Sequence, residues 1–136
     1  MEQKLITGEL KLAENDEQYY EFIRILRTDP RIIHGFVHND PITPEQQRRY
    51  MKKYKNNYYI CLWKNEPVGY VGQIDGDIRI ATHPDFQQRG VGSFMINEIM
   101  KKHPECYGKV KIKNQASLSM FEKCGFKKKY YILERE

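Results

Sequence analysis

The sequence predicts a mixed α/β fold in which a mostly antiparallel central sheet is flanked by helices. Residues 58–82 have the composition of three consecutive strands joined by tight turns. Apolar residues at helical spacing occur both before and after this stretch, so helices are expected to pack on the sheet. No repeat or Gly/Ser-rich linker divides the 136 residues, and this length favours one domain spanning residues 1–136.

The elements before the three strands are predicted to be one strand and two helices. Residues 9–13 alternate polar and apolar side chains, as a half-buried strand does. Asn15 or Asp16 can cap a helix that continues to about Thr28. A second helix is predicted over residues 43–54, because its first four residues, Thr-Pro-Glu-Gln, combine an N-cap, an early proline and a capping box.

The remaining elements follow the same two periodicities. The three central strands are expected at residues 58–64, 67–75 and 77–82. The elements after them are expected to be a helix at 90–102, a strand at 109–113, a helix at 114–124 and a strand at 129–133. The predicted order is therefore β-α-α-β-β-β-α-β-α-β.

Composition limits the classes of function. No apolar run approaches the roughly 18 residues that a membrane span needs, and the N-terminus lacks a signal-peptide pattern, so a cytoplasmic location is expected. The three cysteines form neither a CxxC pair nor a metal-ligand spacing, which predicts free thiols and no bound metal. The net charge of +5 favours an anionic partner, either a nucleic acid or a phosphorylated small molecule.

The most informative segment runs from Ile80 to Ser93, where a strand ends, a polar loop follows and two glycines open a helix. Gly90 and Gly92 leave the backbone N–H groups of residues 88–93 unobstructed at a helix N-terminus, a place that binds phosphate or pyrophosphate. Arg89 can add a charged contact. The segment lacks both the P-loop and the GxGxxG dinucleotide pattern. The alternative is that the two glycines only allow close packing of the helix on the sheet.

A second block supports the ligand-binding interpretation. One strand after the glycine helix come Asn114, Ser117, Phe121 and the pair Gly125-Phe126. Together, Gln-x-x-Gly-x-Gly and Asn-x-x-Ser-x-x-x-Phe-x-x-x-Gly-Phe resemble the acyl-CoA signature of the GNAT N-acetyltransferase superfamily. The predicted order of elements is similar to that family over nearly the whole chain.

This resemblance implies a GNAT-like acyl-CoA N-acyltransferase fold and a set of acetyl-CoA-binding residues. The pyrophosphate would lie on the loop and first helical turn formed by Gln87, Gln88, Arg89, Gly90, Val91, Gly92 and Ser93. The strand Ile80-Ala81-Thr82 would diverge from residues 109–113 to admit the pantetheine arm. A backbone N–H near Ile80 or Ala81 would polarise the thioester carbonyl.

The second block would complete the acetyl-CoA site. Asn114 would touch the pantetheine or the thiol end, where it is also a candidate to assist catalysis, and Ser117 and Phe121 would line the same site. Many members have a Tyr where this chain has Phe121, and that Tyr protonates the departing thiolate. Phe121 cannot do so, which leaves Ser117, Asn114, a nearby Tyr, water or no donor at all. No metal is implied.

The candidate catalytic base and the acceptor residues come from other segments. Asp75 and Asp77 flank the turn into the strand at 77–82, near where some relatives place a carboxylate base, although both can equally be ordinary turn residues. His34 and His38 lie in the loop predicted to cover the acceptor side. Each is a candidate substrate contact.

The implied function is acetyl transfer from acetyl-CoA to a primary amine by direct attack in a ternary complex. Residues 29–33 and 41–45 are similar to the acceptor side of acetyltransferases that act on nucleotide-linked amino sugars, which makes such a sugar nucleotide the expected acceptor. Alternatives are a protein N-terminus or another small amine, a non-catalytic CoA-binding domain, and a small nucleic-acid-binding domain. No nucleic acid or membrane partner is expected, and a homodimer is left open.

Overall fold

The structure is a computed structural model that describes residues 8–37 and 40–136. A four-stranded antiparallel sheet, in the order β1-β2-β3-β4, forms its centre. The strands are β1 (Leu10–Glu14), β2 (Tyr58–Trp63), β3 (Glu66–Ile74) and β4 (Asp77–Thr82). The helices are α1 (Tyr20–Arg27), α2 (Pro44–Lys53), α3 (Val91–Lys102) and α4 (Gln115–Lys123). Short 3-10 turns occupy residues 17–19, 33–35, 55–57 and 84–86.

The sheet separates two apolar layers, because alternate side chains of β2 point to opposite faces. Tyr58, Ile60 and Leu62 belong to the cluster that includes the buried residues of α1 and α2. Cys61 belongs to the cluster formed with α3 and α4. The predicted mixed α/β architecture, with helices flanking an antiparallel sheet, is therefore confirmed.

The start of α2 is as the sequence predicts. The Thr43 hydroxyl accepts a hydrogen bond from the Gln46 backbone N–H at 3.1 Å, and the Gln46 side chain accepts one from the Thr43 N–H at 2.9 Å. Pro44 occupies the first helical position, where its missing N–H costs nothing. This reciprocal pair satisfies two backbone donors and fixes where α2 begins.

Two predicted strands are wrong. Tyr107 forms a single parallel bridge with Asp77, but residues 109–113 do not continue it. The chain turns instead, and the Asn114 N–H donates to the Lys111 carbonyl at 2.9 Å. Residues 109–113 alternate polar and apolar side chains as a strand would, but no neighbouring strand among the described residues pairs with them. Residues 129–133 likewise pair with no described strand, and Leu133 is 92% exposed.

Within the described part of the chain, no helix is both long enough and apolar enough to span a bilayer.

Candidate active site

The free edge of β4 opens a gap next to residues 108–113. The Ile78 N–H donates to the Tyr107 carbonyl at 3.0 Å, and the Tyr107 N–H donates to the Gly76 carbonyl at 2.8 Å. Beyond this bridge the two segments part. Because N–H groups alternate between the two sides of a strand, the Ile80 N–H faces the same open edge, whereas that of Ala81 faces β3 and its register partner Tyr70. Ile80 is thus the one of the two predicted donors that faces the gap.

The loop before α3 has the backbone geometry of an anion-binding turn. Gln88 and Gly90 both have positive φ, +60° and +89°, and Gly90 is the N-cap of α3. The first helical hydrogen bond runs from the Phe94 N–H to the Gly90 carbonyl at 3.0 Å. The N–H groups of Val91, Gly92 and Ser93 therefore have no acceptor within the helix and remain at its positive end.

Gly92 serves packing as well. A Cβ at this position would overlap the Met120 sulfur, so glycine lets α3 approach α4 closely. Close packing and anion binding are therefore compatible at this glycine. Its Cα packs against Met120, and its N–H lies in the open first turn of α3.

Two further side chains position the loop. The Gln87 side chain donates to the Thr82 carbonyl at 3.4 Å, which links the loop to the end of β4. The Arg89 guanidinium lies 5.2 Å from the ring centre of Trp63 and 5.5 Å from that of Phe86. These cation–π contacts hold a positive charge beside the glycine turn.

The three residues predicted from the second block come together on α4. Asn114 is the N-cap, and its Oδ1 accepts a hydrogen bond from the Ser117 N–H at 3.1 Å. Phe121 is buried and packs edge-on against Phe126, with ring centres 5.1 Å apart. All three line one cavity, so the capping role of Asn114 coexists with access to a ligand.

This cavity is a cleft that opens to solvent. Its first wall is the predicted cofactor side, which contributes Ile80, Asn114, Ser117 and Phe121. Its second wall is formed by side chains of α1, α2 and the connection between them, including Arg27. One space thus joins the β4 gap to the surface expected to receive the acceptor.

The structure separates the two candidate bases. Asp77 is 8% exposed and lines the cavity, with its Oδ2 3.3 Å from Arg79 Nε and 3.8 Å from Lys109 Nζ. Asp75 lies exposed in the β3–β4 turn with a φ of +52° and does not line this cavity. Asp77 is therefore the one of the pair that the fold brings to the site.

His34, one of the two candidate substrate contacts, does not line this cavity. His34 lies exposed in the turn at residues 33–35, and its carbonyl accepts a hydrogen bond from Lys111 Nζ at 2.9 Å. His38 lies outside the described residues. Gly35 does line the cavity, and a Cβ there would lie 2.9 Å from Asn114 Nδ2. The α1–α2 connection therefore closes over the start of α4 through backbone contacts.

The aromatic floor of the cavity was missed by the sequence analysis. Tyr50, Tyr58 and Tyr70 all line it, and the hydroxyls of Tyr50 and Tyr58 are 2.6 Å apart. Burial raises the pKa of Tyr58 well above its usual range and that of Tyr70 to about 12, so both hydroxyls stay protonated at neutral pH. The sequence signal was the tyrosine content of residues 50–58, which spacing alone could not assign to a site.

Gln47 was also missed. It lies on α2, is 1% exposed and lines the cavity. Its signal was available, because Gln47, Tyr50 and Met51 follow the i, i+3, i+4 spacing of a buried helix face. A polar residue on such a face points to a special role. Among the described residues, no group of three or more His, Cys, Asp or Glu side chains could hold a metal ion.

Comparison with known proteins agrees with this geometry. The sequence model of the Acetyltransferase (GNAT) family matches residues 14–126. No curated protein sequence matches the chain at a significant level. Many solved structures share the fold, among them the three that follow. A spermidine N-acetyltransferase from Vibrio cholerae, in complex with CoA and spermine, has a TM-score of 0.81 at 16% identity, covering 93% of this chain and 86% of that one.

The second is a ribosomal L7/L12 alpha-N-protein acetyltransferase in complex with CoA, with a TM-score of 0.70 at 16% identity over 88% and 80% of the two chains. The third, a Salmonella typhimurium protein with its cofactor acetyl-CoA, has a TM-score of 0.74 at 13% identity, also over 88% and 80%. The family match covers most of the sequence and includes both predicted motifs. The chain belongs to the GNAT acetyltransferase family and is an acyl-CoA-dependent N-acetyltransferase.

Proposed function

We propose that this protein transfers the acetyl group of acetyl-CoA to the primary amine of a nucleotide-linked amino sugar, by direct attack while both substrates are bound. One observation carries the proposal. A single cavity is lined by the Ile80 edge of β4 and α4 on one side and by α1 and α2 on the other. A thioester and an amine could therefore meet there without an acyl-enzyme step.

The residues present fit acetyl-CoA. In the first turn of α3, the N–H groups of Val91, Gly92 and Ser93 have no acceptor within the helix and are available to a pyrophosphate. The edge of β4 beyond the Ile78–Tyr107 bridge offers backbone groups to an extended pantetheine arm. Acetyl-CoA supplies the acetyl group already activated as a thioester.

In this arrangement the chain acts mainly by positioning and by polarising the carbonyl. The Ile80 N–H is the backbone donor available to the thioester oxygen, and it is fixed by the β3–β4 pairing, so little reorganisation is needed. The amine nitrogen bonds to the acetyl carbon as the C–S bond breaks, and the nitrogen loses one proton while the thiolate gains one.

The protons have few possible partners. Asp77 is the carboxylate among the described lining residues and is our candidate to accept the amine proton, directly or through water. Asn114 and Ser117 lie on the wall expected to face the thiol. A CoA thiol has a pKa near 8.5, so it can leave as thiolate at little cost, and Phe121 does not exclude catalysis.

No cysteine is placed to carry the acetyl group. Cys61 and Cys106 are buried, and none of the three cysteines lines the cavity. Burial raises the pKa of the Cys61 thiol to about 12, which suppresses the nucleophilic thiolate form. Direct transfer is therefore the simpler route.

The proposed acceptor rests on two supports. The segments at 29–33 and 41–45 are similar to the acceptor side of enzymes that act on nucleotide-linked amino sugars. Cations also outnumber carboxylates on the cavity wall, which suits an anionic sugar nucleotide. The fold alone does not decide the acceptor, since the similar structures include a spermidine and a protein N-terminal acetyltransferase.

The test has two stages. Thermal unfolding is followed with acetyl-CoA, CoA or ATP. We expect both CoA species to raise the Tm by several degrees at about 100 times Kd, and ATP not to do so. CoA thiol release is then measured with a UDP-linked amino sugar, the free amino sugar, spermidine and a peptide N-terminus. A Tm increase without thiol release from any amine would contradict the proposed activity, and a preference for spermidine or the peptide would contradict the proposed acceptor.

A further inference from the structure

The amide of Gln47 is buried in the cavity wall and has no hydrogen-bond partner in the described part of the chain. Neither its Oε1 nor its Nε2 forms a hydrogen bond with any described residue, although the side chain is almost fully enclosed. An amide removed from water without compensation costs free energy, so such groups are rare in folded proteins. The position of Gln47 on the acceptor side of the cavity indicates that its missing partner is a bound molecule.

The charges of the same wall are unbalanced. Arg27 of α1, Arg79 of β4 and Lys109 line the cavity together with a single described carboxylate, Asp77. Asp77 lies within 4 Å of both Arg79 and Lys109. Arg27 forms no ion pair among the described residues, so its charge is not matched on the wall.

Arg79 is only partly satisfied. Its Nε lies 3.3 Å from Asp77 Oδ2, a distance typical of an ion pair. Yet this buried Nε has no hydrogen bond in acceptable geometry. A guanidinium that lies at ion-pair distance from a carboxylate but forms no hydrogen bond with any described residue retains capacity for a second anion.

We propose that Gln47, Arg27 and Arg79 form the acceptor subsite, and that the acceptor amine carries an acidic group, a phosphate or a carboxylate. This inference rests on the proposed acetyl transfer but not on a sugar nucleotide as the acceptor: it assigns the residues that recognise the acceptor and the acidic group that they require. The two guanidinium groups bind the acidic group, and the Gln47 amide, which can both donate and accept, binds a neighbouring polar group of the acceptor.

The same charges discriminate against polyamines. A polyamine is multiply positive at neutral pH and would lie beside three cations and one carboxylate. Like charges in a partly buried site repel strongly because solvent screening is weak there. The spermine-bound structure that shares this fold is only 16% identical, so the two walls need not match in charge.

The first experiment measures kcat/KM for acceptor pairs that differ in one acidic group, with acetyl-CoA saturating. The pairs are glucosamine with glucosamine 1-phosphate, and alanine methyl ester with alanine; spermidine is the cationic probe. We expect at least one acidic member to exceed its neutral partner by roughly tenfold or more. The pair that shows the preference distinguishes a phosphate from a carboxylate.

The matched variants lie on one helix. Arg27→Gln is expected to reduce the acidic preference about tenfold or more. Arg24→Gln makes the same charge change on α1, at a surface residue paired with Glu21, and should keep the preference. Equal use of acidic and neutral partners by the wild type, or an unchanged preference in Arg27→Gln, would overturn the inference.

Gln47→Met tests the amide by opposite effects on stability and binding. Removing an unpartnered buried amide should leave the Tm unchanged or raise it by a few degrees, while the acceptor KM rises and the affinity for acetyl-CoA stays the same. A lower Tm with an unchanged acceptor KM would show a structural role and overturn this part of the proposal.

Binding keeps the inference testable if no amine is acetylated. With CoA saturating, so that the glycine loop is occupied, glucosamine 1-phosphate is titrated by calorimetry. Binding to the wild type and to Arg24→Gln that is lost in Arg27→Gln would support the subsite even though the proposed activity had failed. Binding of equal strength in all three, or in none, would contradict it.

Discussion

Gly92 of α3 lies directly against the sulfur of Met120 on α4, with no room for a Cβ between them. The two helices carry the two sequence motifs, so this contact joins the glycine turn to the helix that begins at Asn114. The close approach places the first turn of α3 and the Asn114–Phe121 face on the same side of the β4 gap. Packing and ligand binding therefore depend on the same glycine.

Gly92→Ala is expected to lower the free energy of unfolding by about 1–3 kcal/mol, because Met120 must move out of its packed position. In a Met120→Ala background the same substitution should cost clearly less, since the overlapping sulfur is gone. Urea unfolding of the four proteins in this cycle measures the coupling. Strictly additive effects would show that the two residues do not interact as the structure indicates.

Gly90 and Gly125 provide a matched pair for the anion-binding role of the loop. Both have positive φ, +89° and +93°, so alanine at either position should cost about 1–2 kcal/mol of stability through backbone strain. Only Gly90 caps the helix that opens on the proposed pyrophosphate site. We expect Gly90→Ala to weaken CoA binding in calorimetry and Gly125→Ala to leave it near wild type. Equal loss of affinity in the two variants would contradict a local role of the loop.

Asp77→Asn distinguishes a role of Asp77 as the catalytic base from a purely structural role as the ion-pair partner of Arg79 and Lys109. The substitution leaves Arg79 and Lys109 without their carboxylate, and we expect a stability loss of roughly 1–3 kcal/mol. If Asp77 also accepts the amine proton, kcat should fall by about 10²–10⁴. Asp75→Asn, in the exposed turn, should change stability by less than about 0.5 kcal/mol and keep kcat. A kcat for Asp77→Asn within a few-fold of wild type would limit Asp77 to its ion pairs.

Local signals predicted the local structure. The Thr43–Gln46 capping box and the apolar, β-rich run of residues 58–63 concern neighbouring residues, and both appear as expected. The strand predicted at 109–113 fails because pairing is non-local: after Tyr107 the chain turns, and Asn114 bonds back to Lys111. Alternation of polar and apolar residues indicates that a strand is possible, but a strand forms only where a neighbouring strand supplies hydrogen-bond partners.

The candidate site was predictable in part for the same reason. The glycine turn and the Asn114 cap are sequence motifs, so their positions followed from the residues themselves. Arg27, Gln47 and Arg79 come from three separate elements and meet only when α1 and α2 pack on the sheet. Gln47 alone left a trace, as a polar residue at a buried helical position.

The buried hydroxyls and thiol near the centre of the sheet predict a steep loss of stability at high pH. Burial raises the pKa of Tyr70 and of Cys61 to about 12, and burial together with Tyr50 raises that of Tyr58 further still. In the unfolded chain a cysteine loses its proton near pH 8.5 and a tyrosine near pH 10. Between those values and the folded pKa, the folded state holds more protons than the unfolded state, so stability falls as pH rises.

The loss should begin near pH 9 through Cys61 and steepen around pH 10, as each of the two tyrosines adds a slope that rises towards about 1.4 kcal/mol per pH unit. Urea unfolding at pH 8, 9, 10 and 10.5 gives the slope. Cys61→Ala should reduce the slope by up to one proton from pH 9 through pH 10.5, because the folded pKa of this thiol lies near 12. Tyr58→Phe should remove one proton from the slope above pH 10, while lowering stability at every pH because the hydrogen bond to Tyr50 is lost. A slope above pH 10 that is the same in Tyr58→Phe and wild type would mean that Tyr58 reaches solvent in the folded protein.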